Sequence, residues 1–451
     1  MGVPVTTAAL EIRSFAHGVH PPEHKEDTRE LAIRQFPFAP VMVMLLSQHL
    51  GAPTKPTVRE GQEVARGQKI GEPDGFMSVA MHAPASGVIE RIDQAPNSAG
   101  KMVPAVFLRP FPGSGQEVIE GQPCDADTAT REEIITAIQQ AGVVGLGGAA
   151  FPTHVKLSVK EPRHADTLLI NGVECEPYLT TDHRVMLEQV DDIIRGVRYT
   201  LKASGADRAI IAVEANKPDA IEVLRANLPA DLPLEVRVLK VKYPQGAEKI
   251  LIKALLDREV PSGGLPIDVN VVSQNVATTA EIGRLLPLGR GIMERVITIT
   301  GPGVERPGNY LIPIGTPLRF ALDEVGLRKE ATRVLLGGPM MGQAAASLDV
   351  PITKGTSGLL VFTEKEIVGT GESEYPCIRC GHCLDACPMF LNPSRLGLLA
   401  RNRQYEDMAA EHNLMDCFDC GCCSFVCPSH IPLVQYFRVA KSILRERQAA
   451  S

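Results

Sequence analysis

The chain has 451 residues, too many for one hydrophobic core, so it reads as several domains. Hydrophobic residues make up 44% and charged residues 22%, an ordinary globular composition, and the longest apolar run, Val41 to Leu46, is far too short to span a membrane. The net charge of −7 leaves no cationic excess to displace counterions from nucleic acid, and 4% aromatic residues with no Trp exclude a stacking-rich single-strand binder.

Taken in order, Met1 to Thr6 superficially fits a myristoylation signal, read here as coincidence. Residues 1–37 form an irregular arm. His17, His20 and His24 raise a metal site there, while Pro21 and Pro22 favour an ordered extended segment. Residues 38–115 read as short strands. Val58, Gly61, Val64, Gly67 and Ile70, followed by His82-Ala-Pro84-Ala-Ser-Gly87, alternate apolar positions with Gly turns. This pattern resembles the barrel-sandwich, lipoyl-like fold. Carriers of that fold place a modified Lys on the hairpin between the halves. Here the hairpin is Asp74 to Ser78 and has no Lys, which implies a structural or docking module.

A Gly- and Pro-rich linker, Pro110 to Asp127, leads to a helix from Arg131 to Gln140, with Thr130 and Glu133 placed for a capping box. Then come Gly142, Gly145, Gly147 and Gly148, with Phe151 and Lys156 after them. The run contains G-x-G-x-x-A, but it follows a helix rather than a strand, so it is not the ordinary dinucleotide turn. Its physics is retained: glycines let backbone N–H groups approach a phosphate or ring, and Lys156 adds a charge. A buried strand, Thr167 to Asn171, opens into Gly172-Val-Glu174-Cys175-Glu176-Pro177. Carboxylates at a strand's C-terminal end sit where α/β sheets bind ligands. Helices at His183 to Gly196 and Pro218 to Ala226 alternate with strands at Arg208 to Val213, Glu235 to Val241 and Val269 to Val276, so residues 128–290 form an α/β layer. Tyr243 to Lys249 is a Gly turn leading into a further helix. Residues 291–345 read as a small β-grasp module, residues 346–371 as a Gly- and Thr-rich bridge, and residues 372–451 as a helical module closed by an amphipathic helix from Leu433. That last helix is expected to pack on the cofactors or a partner, or, less favoured, to lie on a membrane surface.

The final module carries the most specific pattern. Cys377, Cys380, Cys383 and Cys387 before Pro388 repeat as Cys417, Cys420, Cys423 and Cys427 before Pro428. Both runs read C-x2-C-x2-C-x3-C-P, the ligand pattern of proteins with two [4Fe–4S] clusters, in which the fourth Cys crosses to the other cube. One cluster therefore takes Cys377, Cys380, Cys383 and Cys427, and the other Cys387, Cys417, Cys420 and Cys423. Structural zinc has no use for a third Cys at this spacing, and disulfides need an oxidising compartment, whereas no secretory signal opens the chain. Cys422 is a spare.

The order of these pieces resembles the C subunits of Rnf (Rsx) electron-transport complexes, over nearly the whole chain. The middle is similar to the NADH-oxidising flavoprotein subunit of complex I. Its G-R-G-G-A-G-F-P-T-G-x-K-W loop corresponds to Gly145 to Leu157, and its N-x-D-E-x-E-P to Asn171, Val173, Glu174, Glu176 and Pro177. Its Y-x-x-G-E-E corresponds to Tyr243, Gly246, Ala247 and Glu248, and its N-V-E-T to Asn275 through Thr278. The resemblance implies that Gly145, Gly147, Gly148, Lys156, Asn171, Glu174, Gly246 and Asn275 cradle FMN, while Phe151 and Glu176 contact NADH. Leu146, Val173 and Ala247 replace an Arg, an Asp and a Glu, making the flavin site less polar, and Leu157 replaces an aromatic. It also implies a multidomain α/β and α+β fold with a Rossmann-like flavin domain. Electrons would pass from NADH through FMN to the two clusters, then to another Rnf subunit and toward ferredoxin. The location would be peripheral, on the cytoplasmic face of the bacterial inner membrane, with other subunits moving Na+ or H+. A soluble flavin and iron–sulfur cobalamin reductase shares every motif. A non-catalytic iron–sulfur electron adapter would keep the clusters, with a decayed flavin site and the barrel and β-grasp modules serving only to dock partners.

Overall fold

The structure is a computed structural model and describes residues 12–113, 115–367 and 374–450. The N-terminal acylation pattern lies outside the described residues. Four sheets organise the chain. The first two belong to the N-terminal module. A four-stranded sheet runs in the order Met42–Leu45, Met102–Pro110, Gly87–Pro96 and Glu63–Val64, and a three-stranded one in the order Lys55–Pro56, Lys69–Glu72 and Met81–His82. Successive side chains of Met42–Leu45 point to opposite faces, and both faces are buried. Met42 and Met44 join a core with Ile70, Ile89, Val106 and Leu108, while Val43 and Leu45 pack with Ala105 and Phe107.

The middle of the chain is a parallel four-stranded sheet in the order Leu234–Leu239, Arg208–Glu214, Thr167–Gly172 and Val271–Asn275. Helices α1 (Arg131–Gln140) and α2 (Thr153–Leu157) precede it. Helices α3 (Thr181–Glu188), α4 (Val190–Ser204), α5 (Pro218–Ala226), α6 (Glu248–Leu256) and α7 (Val276–Leu285) connect and cover it. The α1 capping box forms as its sequence requires, with Thr130 accepting from the Glu133 amide and Glu133 accepting from the Thr130 amide. The single helix expected from His183 to Gly196 is two helices. Gln189, with φ −126°, ends α3 by donating to Val185 O and starts α4 by accepting from the Ile193 amide. The chain winds outward from Thr167–Gly172 through two strands, then crosses back to lay Val271–Asn275 on the other side. Strand order therefore reverses between Thr167–Gly172 and Val271–Asn275.

A six-stranded sheet follows, ordered Ile33–Gln35, Gly308–Pro313, Glu294–Thr300, Gly358–Thr363, Ala331–Leu336 and Gln343–Ala344, with α8 (Leu318–Val325) packed on it. Two expectations are corrected here. Part of the expected bridge is a central strand, Gly358–Thr363, pairing with Glu294–Thr300 and Ala331–Leu336. Its Leu-Leu-Val run is wholly buried, a signal masked by the Gly- and Thr-rich residues around it. Part of the expected arm is an edge strand, Ile33–Gln35, in parallel register with Asn309, Tyr310 and Leu311. That strand is largely exposed and carries no alternation to read. Residues 368–371 of the bridge lie outside the described residues.

The cysteine module is built from short helices at His382–Asp385, Pro393–Arg401, Tyr405–Ala410 and Cys422–Phe425 and the long Leu433–Ala450. Leu396, Leu399, Met408, Leu414, Leu433 and Phe437 form its core. So the closing helix packs within its own module. Among the described residues no helix is long and apolar enough to cross a membrane. Buried Lys354 joins three modules by donating to Ala80 O at 2.9 Å and Gly142 O at 2.8 Å, and burial pushes its pKa down to about 7.

Candidate functional site

The strand reversal brings two asparagines together. Asn171 and Asn275 are direct register partners at the C-terminal ends of adjacent parallel strands, where open α/β sheets bind ligands. Asn171 Nδ2 donates to Gly246 O at 2.8 Å, and its Oδ1 accepts from the Val173 amide at 3.0 Å. Asn275 caps α7 by accepting from the Thr278 amide and donates to Asp182 Oδ2 at 2.8 Å. The Gly-rich loop lies against this pair. A Cβ at Gly147 would meet Asn275 Nδ2 at 2.6 Å, so only glycine allows the approach, whereas nothing lies within 4 Å of a Cβ at Gly148. Gly147, Gly148 and Ala149 are exposed. Leu146 anchors the loop from both sides: its amide donates to Thr278 Oγ1 at 2.9 Å, and its carbonyl accepts from Arg295 at 3.1 Å. The result is a fixed cradle of exposed peptide groups beside two amide side chains, a donor set that fits the phosphate and ring of a flavin nucleotide.

The remaining candidates are more dispersed. Lys156, on α2, pairs with Glu248, at the start of α6, at 2.8 Å, both side chains about one-third exposed. Gly145 closes the loop by donating to Phe151 O, and Phe151 is half-buried beyond it. Glu174 is buried. Its carboxylate accepts from the amides of Asp182 at 2.8 Å and His183 at 3.3 Å, at the start of α3, and lies 3.9 Å from the ammonium of Lys25. Glu176 accepts from the amides of Met340 at 3.1 Å and Met341 at 2.9 Å, in the loop after the strand Ala331–Leu336. Burial raises its pKa to about 7 despite those amides. The two carboxylates thus fasten α3, the N-terminal arm and the third module to the strand end.

The two cysteine runs fold alike. Arg379 and Asp419 have φ of 58° and 60°, Gly381 and Gly421 of 86° and 80°, and Phe390 and His430 of 55° and 50°. Each Gly precedes a one-turn helix, His382–Asp385 or Cys422–Phe425. Cys387, Cys417, Cys420 and Cys423 line one cavity together with Cys422, Pro388, Leu391, Leu396 and Phe437. The crossing cysteine, Cys387, comes from the other run. Burial first, then the thiols of Cys427, Cys377 and Cys380, push the Cys383 thiol up. Among the described residues no three His, Cys, Asp or Glu converge as one bound metal ion needs. Thiols spread around an apolar hollow suit the faces of a cube, so the residues present fit iron–sulfur clusters.

The N-terminal arm holds the halves together. His17 Nδ1 lies 2.7 Å from Asp385 O, Gly18 N donates to Ala386 O at 3.2 Å, and Val19 pairs with Tyr243. Tyr243 OH donates to Cys420 O at 2.8 Å and lies 3.5 Å from Glu176. Spare Cys422 is buried with Val19, Tyr243 and Ala386. Sequence reasoning missed Asp182, whose carboxyl is raised by burial and then by Glu174, and Arg295, whose pKa burial lowers to about 10. Neither stands in a motif. Tyr243 stood in one, but its reach to the cysteines had no local signal.

Known proteins agree with this layout. Residues 13–110 match the RnfC barrel sandwich hybrid domain, 138–284 the Nuo51 FMN-binding domain, 296–344 the SLBB domain and 374–431 the 4Fe-4S dicluster domain. The chain is 41% identical to the C subunit of the proton-translocating ferredoxin:NAD(+) oxidoreductase complex of Clostridium ljungdahlii, over 96% of this chain and 94% of that protein. It is 40% identical to the C subunit of the Na(+)-translocating ferredoxin:NAD(+) oxidoreductase complex of Acetobacterium woodii, over 96% and 98%. It is 38% identical to the C subunit of the ion-translocating oxidoreductase complex of Rhodobacter capsulatus, over 98% and 85%.

Proposed function

Because the chain belongs to the C-subunit family of the ion-translocating ferredoxin:NAD(+) oxidoreductase (Rnf) complexes, we propose that it takes electrons from NADH and passes them through FMN and two [4Fe–4S] clusters toward ferredoxin, or runs that path in reverse. It carries FMN and [4Fe–4S] clusters and works with the other subunits of the complex. It sits peripherally on the cytoplasmic face of the membrane, and ion movement belongs to the other subunits. The observation that carries this reading is one turn shared by both sites: Gly246 O is held by Asn171, and Tyr243, three residues earlier, donates to Cys420 O.

Bound FMN supplies the exchange between a hydride's electron pair and single electrons. The protein's part is binding and alignment. The peptides of Gly147 and Gly148, with Gly145 closing their loop, would hold the phosphate, and Lys156, freed from Glu248, would add positive charge. Asn171, Gly246 and Asn275 would hold the flavin ring, and Phe151 would offer a face to the dinucleotide. Glu174 and Glu176 support this site by fixing its surroundings. Cys420, whose carbonyl accepts from Tyr243, would join Cys387, Cys417 and Cys423 in the nearer cluster site. Cys377 and Cys380, exposed, with Cys383 and Cys427, form the outer one, facing the next carrier. No side-chain acid or base is needed.

Anaerobic reconstitution tests this. Stoichiometric FMN, bleached by NADH and followed by loss of cluster absorbance, is expected. Full iron and sulfide content with no flavin and no response to NADH would leave only an electron adapter.

A further inference from the structure

The Asp74–Ser78 hairpin of the barrel-sandwich module has no carrier Lys, yet it is held rigidly against the flavin-binding domain. Gln139 Nε2, on α1, donates to Gly75 O at 3.1 Å and Ser78 O at 2.9 Å. The His154 ring, on α2, lies 2.7 Å from Phe76 O through its Nε2. The neighbouring segment joins in: Ala52 N donates to Met77 O at 3.1 Å, and Leu50 N donates to Ala150 O, in the Gly-rich loop itself, at 3.3 Å. Despite this fixed backbone, Phe76 leaves half its surface in water, at 50% exposure. Its ring meets His154 edge-on at 5.4 Å, and the Lys160 ammonium lies 5.5 Å from its centroid. His154 and Lys156 share α2, so the helix that follows the Gly-rich loop also holds Phe76 through His154. Leu157, on that helix, is wholly buried and presents no face to a ligand.

A dinucleotide has a second aromatic group, the adenine, and a doubly charged pyrophosphate between the two halves. Exposed aromatic rings on rigid turns bind such bases with little entropic cost, because nothing must be ordered first. We propose that the barrel-sandwich hairpin is the adenine wall of the dinucleotide site, with Phe76 as stacking platform and Lys160 as the cation facing the pyrophosphate. This rests on the NADH-oxidising reading above. It assigns the N-terminal module a share of substrate binding that its lack of a carrier Lys left open.

The chain contains no Trp, so Phe76→Trp creates a single fluorescent reporter at the proposed wall while retaining a stacking ring. ADP-ribose is the probe, since it carries the adenine and pyrophosphate but cannot transfer hydride. With the flavin-loaded protein, ADP-ribose is expected to quench that Trp saturably. Phe76→Ala is expected to weaken ADP-ribose binding and raise the KM for NADH about tenfold, within the range of a lost base–aromatic stack, with kcat and FMN content unchanged. Unquenched Trp at saturating ADP-ribose, or an unaltered KM in Phe76→Ala, would overturn the adenine wall while leaving NADH oxidation intact. Wild-type protein that holds FMN yet neither bleaches with NADH nor binds ADP-ribose would instead sink the underlying reading.

Discussion

Glu176 shows how a side chain's task depends on its neighbours. Two amides from the third module point at its carboxylate, yet burial wins and holds its pKa near 7. The sign of the resulting pH effect follows. Between the ordinary carboxylate range and about pH 7 the folded chain holds a proton that the unfolded chain has released, so this group's contribution to stability falls as pH rises through that window. Glu176→Gln keeps the shape and removes the titration. Relative to that variant, wild type should lose up to about 3 kcal/mol of unfolding free energy from pH 4.5 to pH 7.5, read from denaturant titrations at each pH. An identical pH dependence in both proteins would contradict the burial argument. The two cysteine runs were legible as a dicluster module because the spacing of cluster ligands is local. The bonds of Glu174 were less so. The amides of Asp182 and His183 lie close by in the chain, but Lys25 reaches it only in the fold.

At the scale of elements, the cradle is a loop made rigid by what surrounds it. Leu146 is gripped by Thr278 from α7 and by Arg295 from the strand Glu294–Thr300, and Asn275 presses on Gly147. Gly147→Ala places a methyl 2.6 Å from the Asn275 amide, the side chain that also caps α7. The expected outcome is a folded protein with full cluster content and at least a tenfold loss of FMN affinity, about 1.4 kcal/mol or more, measured by flavin release on dilution. Retention of wild-type affinity would mean that the loop has room to shift. The helix–strand alternation of this domain was legible from apolar runs and glycine turns, and its four parallel strands stand close to their expected places. The strand Gly358–Thr363 and the edge Ile33–Gln35 were not. Each gains its conformation from a partner strand distant in sequence, and neither carries a strong period of its own.

In the whole molecule, the arm governs how the flavin domain meets the cysteine module. Gly18 has φ +79°, and a Cβ there would meet Tyr243 O at 2.6 Å and the Phe15 ring at 2.7 Å. Gly18→Val should lift the strap from Tyr243 and Ala386. Stopped-flow measurement should then find flavin bleaching by NADH at its normal rate and cluster reduction slowed severalfold or more. Equal slowing of both phases would place the arm's effect on the dinucleotide site instead.

By itself the sequence determined the cofactor inventory, the order of modules and the α/β nature of the centre. Thiolate spacing, glycine runs and apolar periods are local properties, and they survive without coordinates. Only the tertiary structure decided that Asn171 faces Asn275, that Tyr243 touches the cysteine module, that Glu176 is held by the third module and that Phe76 stands against His154 of α2. Each of these depends on chain crossings and close packing between residues far apart in sequence, where the energy lies in pairs that no single segment contains.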